Sequence, residues 1–182
     1  MAEYKKSKYN SLRVEWKEHK EEYKSKKILF DGIEKQFIIN VIQFCHDNNL
    51  ANPFTESSSE TQNVGGDENS SSFKSLYRKV VACTHPDKNE KHKESCRIFN
   101  DANIAKREGN LQQLIDASNE AKVKPDLSTF SLNELNLLEL NLEELKNKIN
   151  NIHNSYPWIW FHSNEEKRDL VIRDFVESHL SE

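Results

Sequence analysis

Residues 73–103 read FKSLYRKVVACTHPDKNEKHKESCRIFNDAN, and this stretch decides the fold. Phe73, Leu76, Tyr77, Val80 and Val81 recur at i, i+3, i+4, i+7 and i+8, which puts them on one face of an α-helix. Lys74, Arg78 and Lys79 fall on the other face. Pro86 disfavours helical backbone in the residue before it, so the helix is expected to stop near Thr84. The polar run Asp87-Lys88-Asn89-Glu90 reads as an exposed loop. Ile98, Phe99, Ala102 and Ala105 then carry an apolar stripe on a second helix. The expectation is an antiparallel helical hairpin with His85-Pro86-Asp87 at its tip and with Tyr77 and Phe99 in its core.

Outward from the hairpin, the chain reads as all-α. Glycine and proline number only 4 each among 182 residues, which suits long helices and few tight turns. Hydrophobic content is 35% and charged content 31%, so exposed helices and a flexible piece are expected rather than one large globule. The net charge of −4 argues against generic nucleic-acid binding. Charge is unevenly spread. Segment 73–125 holds 11 basic and 7 acidic residues, whereas 126–182 holds 5 and 11. A basic hairpin favours an acidic partner surface.

Segment 1–51 reads as an N-terminal helical arm. Leu12, Trp16, Tyr23 and Phe30 make a sparse stripe among lysines and glutamates. Asp31-Gly32-Ile33-Glu34 has the form of a capping box, so a second helix is expected to restart there. Ile33, Phe37, Val41 and Phe44 give that helix an apolar face, and Asn48-Asn49 ends it. Segment 52–72 is rich in Ser, Glu, Asn and Gly and reads as a flexible linker. After the hairpin, Gly109 suits a helix C′ position, Asn110 caps a short helix through Leu111, Leu114 and Ile115, and Pro125 closes the 73–125 segment.

Segment 126–182 reads as a C-terminal helical hairpin or coiled coil. Ser131-Leu132-Asn133-Glu134 is a capping box. Leu135, Leu138, Leu142, Leu145, Ile149 and Ile152 then alternate by three and four, a heptad seam suited to a helical partner, to self-association or to an intramolecular hairpin. Tyr156-Pro157-Trp158 breaks this helix, and Ser163-Asn164-Glu165-Glu166 is read as a capping box for the last one. Trp158, Trp160 and Phe161 are expected to cork the hairpin.

The residues Leu76-Tyr77-Arg78-Lys79-Val80, His85-Pro86-Asp87-Lys88-Asn89 and Phe99-Asn100-Asp101-Ala102-Asn103 together resemble the J-domain of DnaJ-type co-chaperones. The resemblance covers roughly 73–123. It implies a non-enzymatic protein, with no cofactor, that docks on the nucleotide-binding part of a DnaK-type heat-shock ATPase and stimulates its ATP hydrolysis. The residues carried over are His85, Pro86 and Asp87 at the tip and Lys74, Arg78 and Lys79 on the helix before it. The family has a short helix before the Tyr-Arg-Lys helix, and nothing at 60–72 resembles it. Either the helix at 33–48 folds back to fill that role, or the J-domain is truncated.

Independent of the resemblance, a carboxylate beside a rigid proline suits a bidentate contact with an arginine, and a basic helix face speeds encounter with an acidic surface. A reading from another class is an oligomerising helical adaptor that keeps an inactive J-like hairpin. Two chemical alternatives are weaker. Cys83, His85, His92 and Cys96 lack usual zinc-finger spacing. His85 with Asp87 or Cys83 has no oxyanion turn or Gly-rich loop to make a hydrolytic site. Three cysteines cannot all pair within one chain, no apolar run reaches membrane-spanning length, and no signal-peptide core follows the N-terminal lysines. A cytoplasmic protein is the expectation.

Overall fold

The computed structural model describes residues 2–54, 70–88 and 93–180. The described residues are all-α, with seven α-helices and no strand among them. In chain order these are α1 (Ala2–Asp47), α2 (Ser71–Thr84), α3 (Lys93–Glu108), α4 (Leu111–Glu120), α5 (Leu132–His153), α6 (Tyr156–His162) and α7 (Glu165–Leu180), with a 3₁₀ turn at Pro86–Lys88. Most of the expected linker, 55–69, lies outside the described residues, as do Asn89, Glu90 and His92. None of the described helices is long and apolar enough to cross a membrane. The described residues fall into two compact units, one of 2–14 with 70–142 and the other of 15–54 with 143–180.

The sequence predicted a break at Asp31-Gly32, but α1 runs through it without interruption. The Asp31 carboxylate accepts from the Lys27 ammonium one turn earlier, at 2.6 Å, rather than capping a new helix. Gly32 costs the helix roughly 0.5–1 kcal/mol. Ile33 and Phe37, both buried on the following turns, each contribute roughly 1.5–3 kcal/mol. Burial wins, and the helix continues.

Three helix ends share one device. Asn49, Gly109 and Lys122 sit at positive φ, at 55°, 63° and 57°. In each case the next amide reaches back to close a Schellman motif: Leu50 N–H to Cys45 O at 2.8 Å, Asn110 N–H to Ala105 O at 2.9 Å and Val123 N–H to Ser118 O at 2.8 Å. Gly109 and Asn49 were legible as stops. Lys122 replaces Pro125 as the terminator of α4, since the left-handed residue ends the helix before the proline is reached.

In the first unit α2, α3 and α4 pack on one another. Phe73, Leu76 and Val80 of α2, Ile98, Ala102 and Ala105 of α3, and Leu111, Leu114 and Ile115 of α4 are all buried. Phe130 is also buried, and Tyr9 meets it edge to face at 5.9 Å between ring centres. The Lys5 ammonium donates to Phe130 O at 2.7 Å, and Lys8 donates to Asn136 at 3.1 Å and Glu139 at 2.8 Å. Partner numbers rise together, so the first turns of α1 run parallel to the start of α5.

In the second unit Phe37, Val41 and Cys45 of α1, Trp160 of α6, and Ile172, Phe175 and Val176 of α7 form one cluster. Phe37 lies 5.8 Å from Trp160 and 5.2 Å from Phe175, edge to face. The apolar face at 33–48 is therefore committed to α6 and α7. Of the three expected corks only Trp160 is buried; Trp158 stacks on His153 at 5.2 Å, and Phe161 is exposed. Glu15 meets Lys146 at 3.4 Å, and Lys26 donates to His153, so α5 runs parallel to α1 here too. All six seam residues from Leu135 to Ile152 are buried within the single chain. At the start of α7 the cap is Asn164, whose side chain accepts from Lys167 N–H at 3.1 Å. Ser163, read as the cap from the sequence, instead donates back to Ile159 O at the end of α6, at 2.8 Å.

Candidate functional site: the tip and basic face of the first hairpin

The tip is built by its neighbours in sequence. Helix α2 opens on a Ser70 cap, whose hydroxyl accepts from Phe73 N–H at 3.2 Å. Residues 70–72, read from the sequence as the end of the linker, are thus the cap and first turn of the helix. At the other end, His85 has the extended backbone expected of a residue before proline, with φ −56° and ψ 133°. Its N–H still closes the last turn on Val81 O at 2.9 Å. Pro86 then starts the 3₁₀ turn that reverses the chain.

Helices α2 and α3 are antiparallel, as two cross-hairpin contacts require. Tyr77 Oη donates to Asn103 Oδ1 at 2.7 Å, and the His85 ring meets Phe99 edge to face at 5.3 Å. The Lys106 ammonium sits 4.7 Å over the Tyr77 ring. Tyr77 and Phe99 are only half-buried, so they fasten the hairpin at its margin rather than fill its centre. The centre is closed by α4, whose side is tied to α3 by Arg97, which bonds to Asp101 at 3.1 Å and to Glu120.

Within the tip the His85 ring is pinned against Phe99 while Asp87 points outward. The Asp87 N–H donates to His85 Nδ1 at 3.3 Å, and the Asp87 carboxylate lies 3.5 Å from the same nitrogen. The bond from the Asp87 backbone to the His85 ring closes the turn. The Asp87 side chain is 86% exposed, and both its oxygens are accessible acceptors for a donor outside the chain.

Lys74, Arg78 and Lys79 are exposed and, with Ser71 and Ser75, line a shallow groove of about 380 Å³. All six residues singled out from the sequence therefore lie on α2 or the turn that follows it. They form two places rather than one. Lys79 and His85 are six residues apart, about 9 Å along a helix axis at 1.5 Å per residue. The Asp126 carboxyl, held below its usual range by bonds from the Ser128 hydroxyl and N–H, is also lowered by the field of Lys79.

Sequence reasoning missed Ser72. It is buried at the start of α2, and its hydroxyl donates to Glu134. Glu134 also closes the capping box of α5, accepting from Ser131 N–H at 2.6 Å while Ser131 Oγ accepts from Glu134 N–H at 3.1 Å. One carboxylate therefore anchors two helix starts, at the opposite end of α2 from the tip. Phe130 was missed as well. Its signal was available, because it occupies N′ before the Ser131 cap with Leu135 at N4, the spacing of a hydrophobic staple.

The rival zinc reading includes His92, which lies outside the described residues. Among the described residues no group of three His, Cys, Asp or Glu is placed to hold a metal ion. No family model matches this chain, and no curated protein or solved structure matches it either.

Proposed function

We propose that this protein is a J-domain-type co-chaperone that docks on a DnaK-type heat-shock ATPase and stimulates its ATP hydrolysis. The observation that carries the reading is the outward Asp87 carboxylate on a turn whose His85 ring meets Phe99 edge to face. An exposed carboxylate on this turn offers a bidentate site for a partner arginine. The Lys74, Arg78 and Lys79 face on the same helix supplies long-range attraction to an acidic surface. Such attraction acts mainly on the rate of encounter and is screened by salt. The chemistry of ATP hydrolysis belongs to the partner.

The docking step is tested by the kinetics of binding to the isolated nucleotide-binding part of a DnaK-type ATPase. Replacing Lys74, Arg78 and Lys79 together by Glu is expected to slow association and flatten its salt dependence. Asp87→Asn is expected to speed dissociation. Association that is indifferent to the charge reversal would remove the basic face from the account. No binding by the unaltered chain would remove the proposal.

A further inference from the structure

The exposed side of α1 carries a second heptad seam. Ile28, Gly32, Lys35, Ile39 and Ile42 recur at alternating spacings of four and three residues. All five are exposed; Ile28 is 69% and Ile39 65% accessible. At 100° per residue this stripe lies opposite Ile33, Phe37 and Val41, which the second unit buries. A helix with apolar seams on both sides covers only one of them within this chain. Gly32 adds an independent oddity. It sits mid-helix, has no positive φ, and a Cβ there would meet nothing within 4 Å. Neither the backbone nor the packing of the single chain accounts for a glycine at this point.

We infer that this face is a self-association seam, covered by α1 of a second copy of the chain. The two helices run antiparallel about a two-fold axis between Ile33 and Glu34. In this register Ile28 packs on the second copy's Ile39, and Ile39 on its Ile28. Gly32 lies opposite the second copy's Lys35, and the missing side chain leaves room for the lysine stem to lie along the seam with its ammonium at the edge. One heptad step further out on each side, Ser25 faces Ile42 and Glu21 faces His46. The acid therefore meets a ring that can donate to it. The parallel alternative sets Lys35 on Lys35 and Glu21 on Glu21, which like-charge repulsion disfavours. This seam differs from that of α5, whose residues are already buried, and it is independent of the hairpin tip.

Sedimentation velocity of the full chain over a concentration series tests the seam. The unaltered chain is expected to show a reversible monomer–dimer equilibrium. Ile39→Glu is expected to weaken it by roughly tenfold or more. Because Ile39 is exposed in the monomer, the helical circular dichroism should stay unchanged. Register is read by cross-linking in a background with Cys83→Ser and Cys96→Ser. Chains carrying Ile28→Cys and chains carrying Ile39→Cys are expected to form a disulfide when mixed and not when alone. A chain that stays monomeric at every concentration overturns the inference. So does an Ile28→Cys chain that cross-links to itself as well as to the mixed partner.

Discussion

The Ser72 hydroxyl at the start of α2 donates to the Glu134 carboxylate at the start of α5, so one acid joins the two helix starts. Ser72 is buried, so its removal leaves no solvent to replace the bond. Ser72→Ala is expected to cost about 1–3 kcal/mol of unfolding free energy. Glu134→Ala removes the capping box as well and should cost more, by up to another ~1 kcal/mol. Urea denaturation followed by circular dichroism checks the order. Equal stability of the Ser72→Ala chain and the parent would contradict it.

Glu134 also sets an acid limit. Burial disfavours its charge, but bonds from Ser72 and from the N–H and hydroxyl of Ser131 outweigh that, and its carboxyl is held below the usual 4.5. A carboxyl lowered on folding stabilises the fold fully above its unfolded value. That contribution fades as pH falls through the folded value. Glu134→Gln should therefore be less stable than the parent at neutral pH, with the gap narrowing below about pH 4.5. A gap that stays constant from neutral pH to pH 3 would contradict the assignment.

Tyr9 presents the opposite case. Its ring is buried against Phe130, but its hydroxyl has no hydrogen-bond partner among the described residues. Tyr9→Phe removes an unsatisfied group while keeping the ring, and is expected to stabilise the fold by roughly 1 kcal/mol. Burial also pushes the Tyr9 hydroxyl up to about 12. The unfolded chain therefore ionises first, and stability falls as pH rises above about 10. Thermal melts at neutral pH and at pH 11 should show Tyr9→Phe ahead in both, with the larger lead at pH 11.

Gly32→Ala separates helix propensity from association. In dilute solution, where the chain is monomeric, the added methyl meets open space and should raise stability by about 0.5–1 kcal/mol. The same methyl intrudes on the space assigned to Lys35 of a second copy, so association should weaken. A melt and a sedimentation run on the same sample check both signs. Tighter association would contradict the antiparallel register.

The hairpin was legible because two independent signals agreed: an apolar period of 3.6 through Val80 and a proline that ended it at Thr84. The capping boxes divided two ways. Ser131 and Glu134 face each other as read. Asp31 does not cap, because Lys27 takes its carboxylate and burial of Phe37 carries the helix onward. A local motif cannot report a distant cluster that overrides it. The seam on α5 was legible as an apolar face, and the chain buries all six of its residues. Its parallel register with α1, fixed by contacts such as Lys8 with Glu139, lay beyond periodicity, which names a face and not its partner. Ser72 was beyond reach for a simpler reason. A serine in a run of serines has no pattern, and only the folded chain shows which one meets Glu134.

The proposed action of His85-Pro86-Asp87 on a partner ATPase is read by single-turnover ATP hydrolysis with a DnaK-type ATPase. Added in excess, the unaltered chain is expected to raise the hydrolysis rate, while His85→Gln and Asp87→Asn chains, with unchanged circular dichroism, should leave it near the unstimulated value. Stimulation that survives both substitutions, or no stimulation by the unaltered chain, would contradict the account.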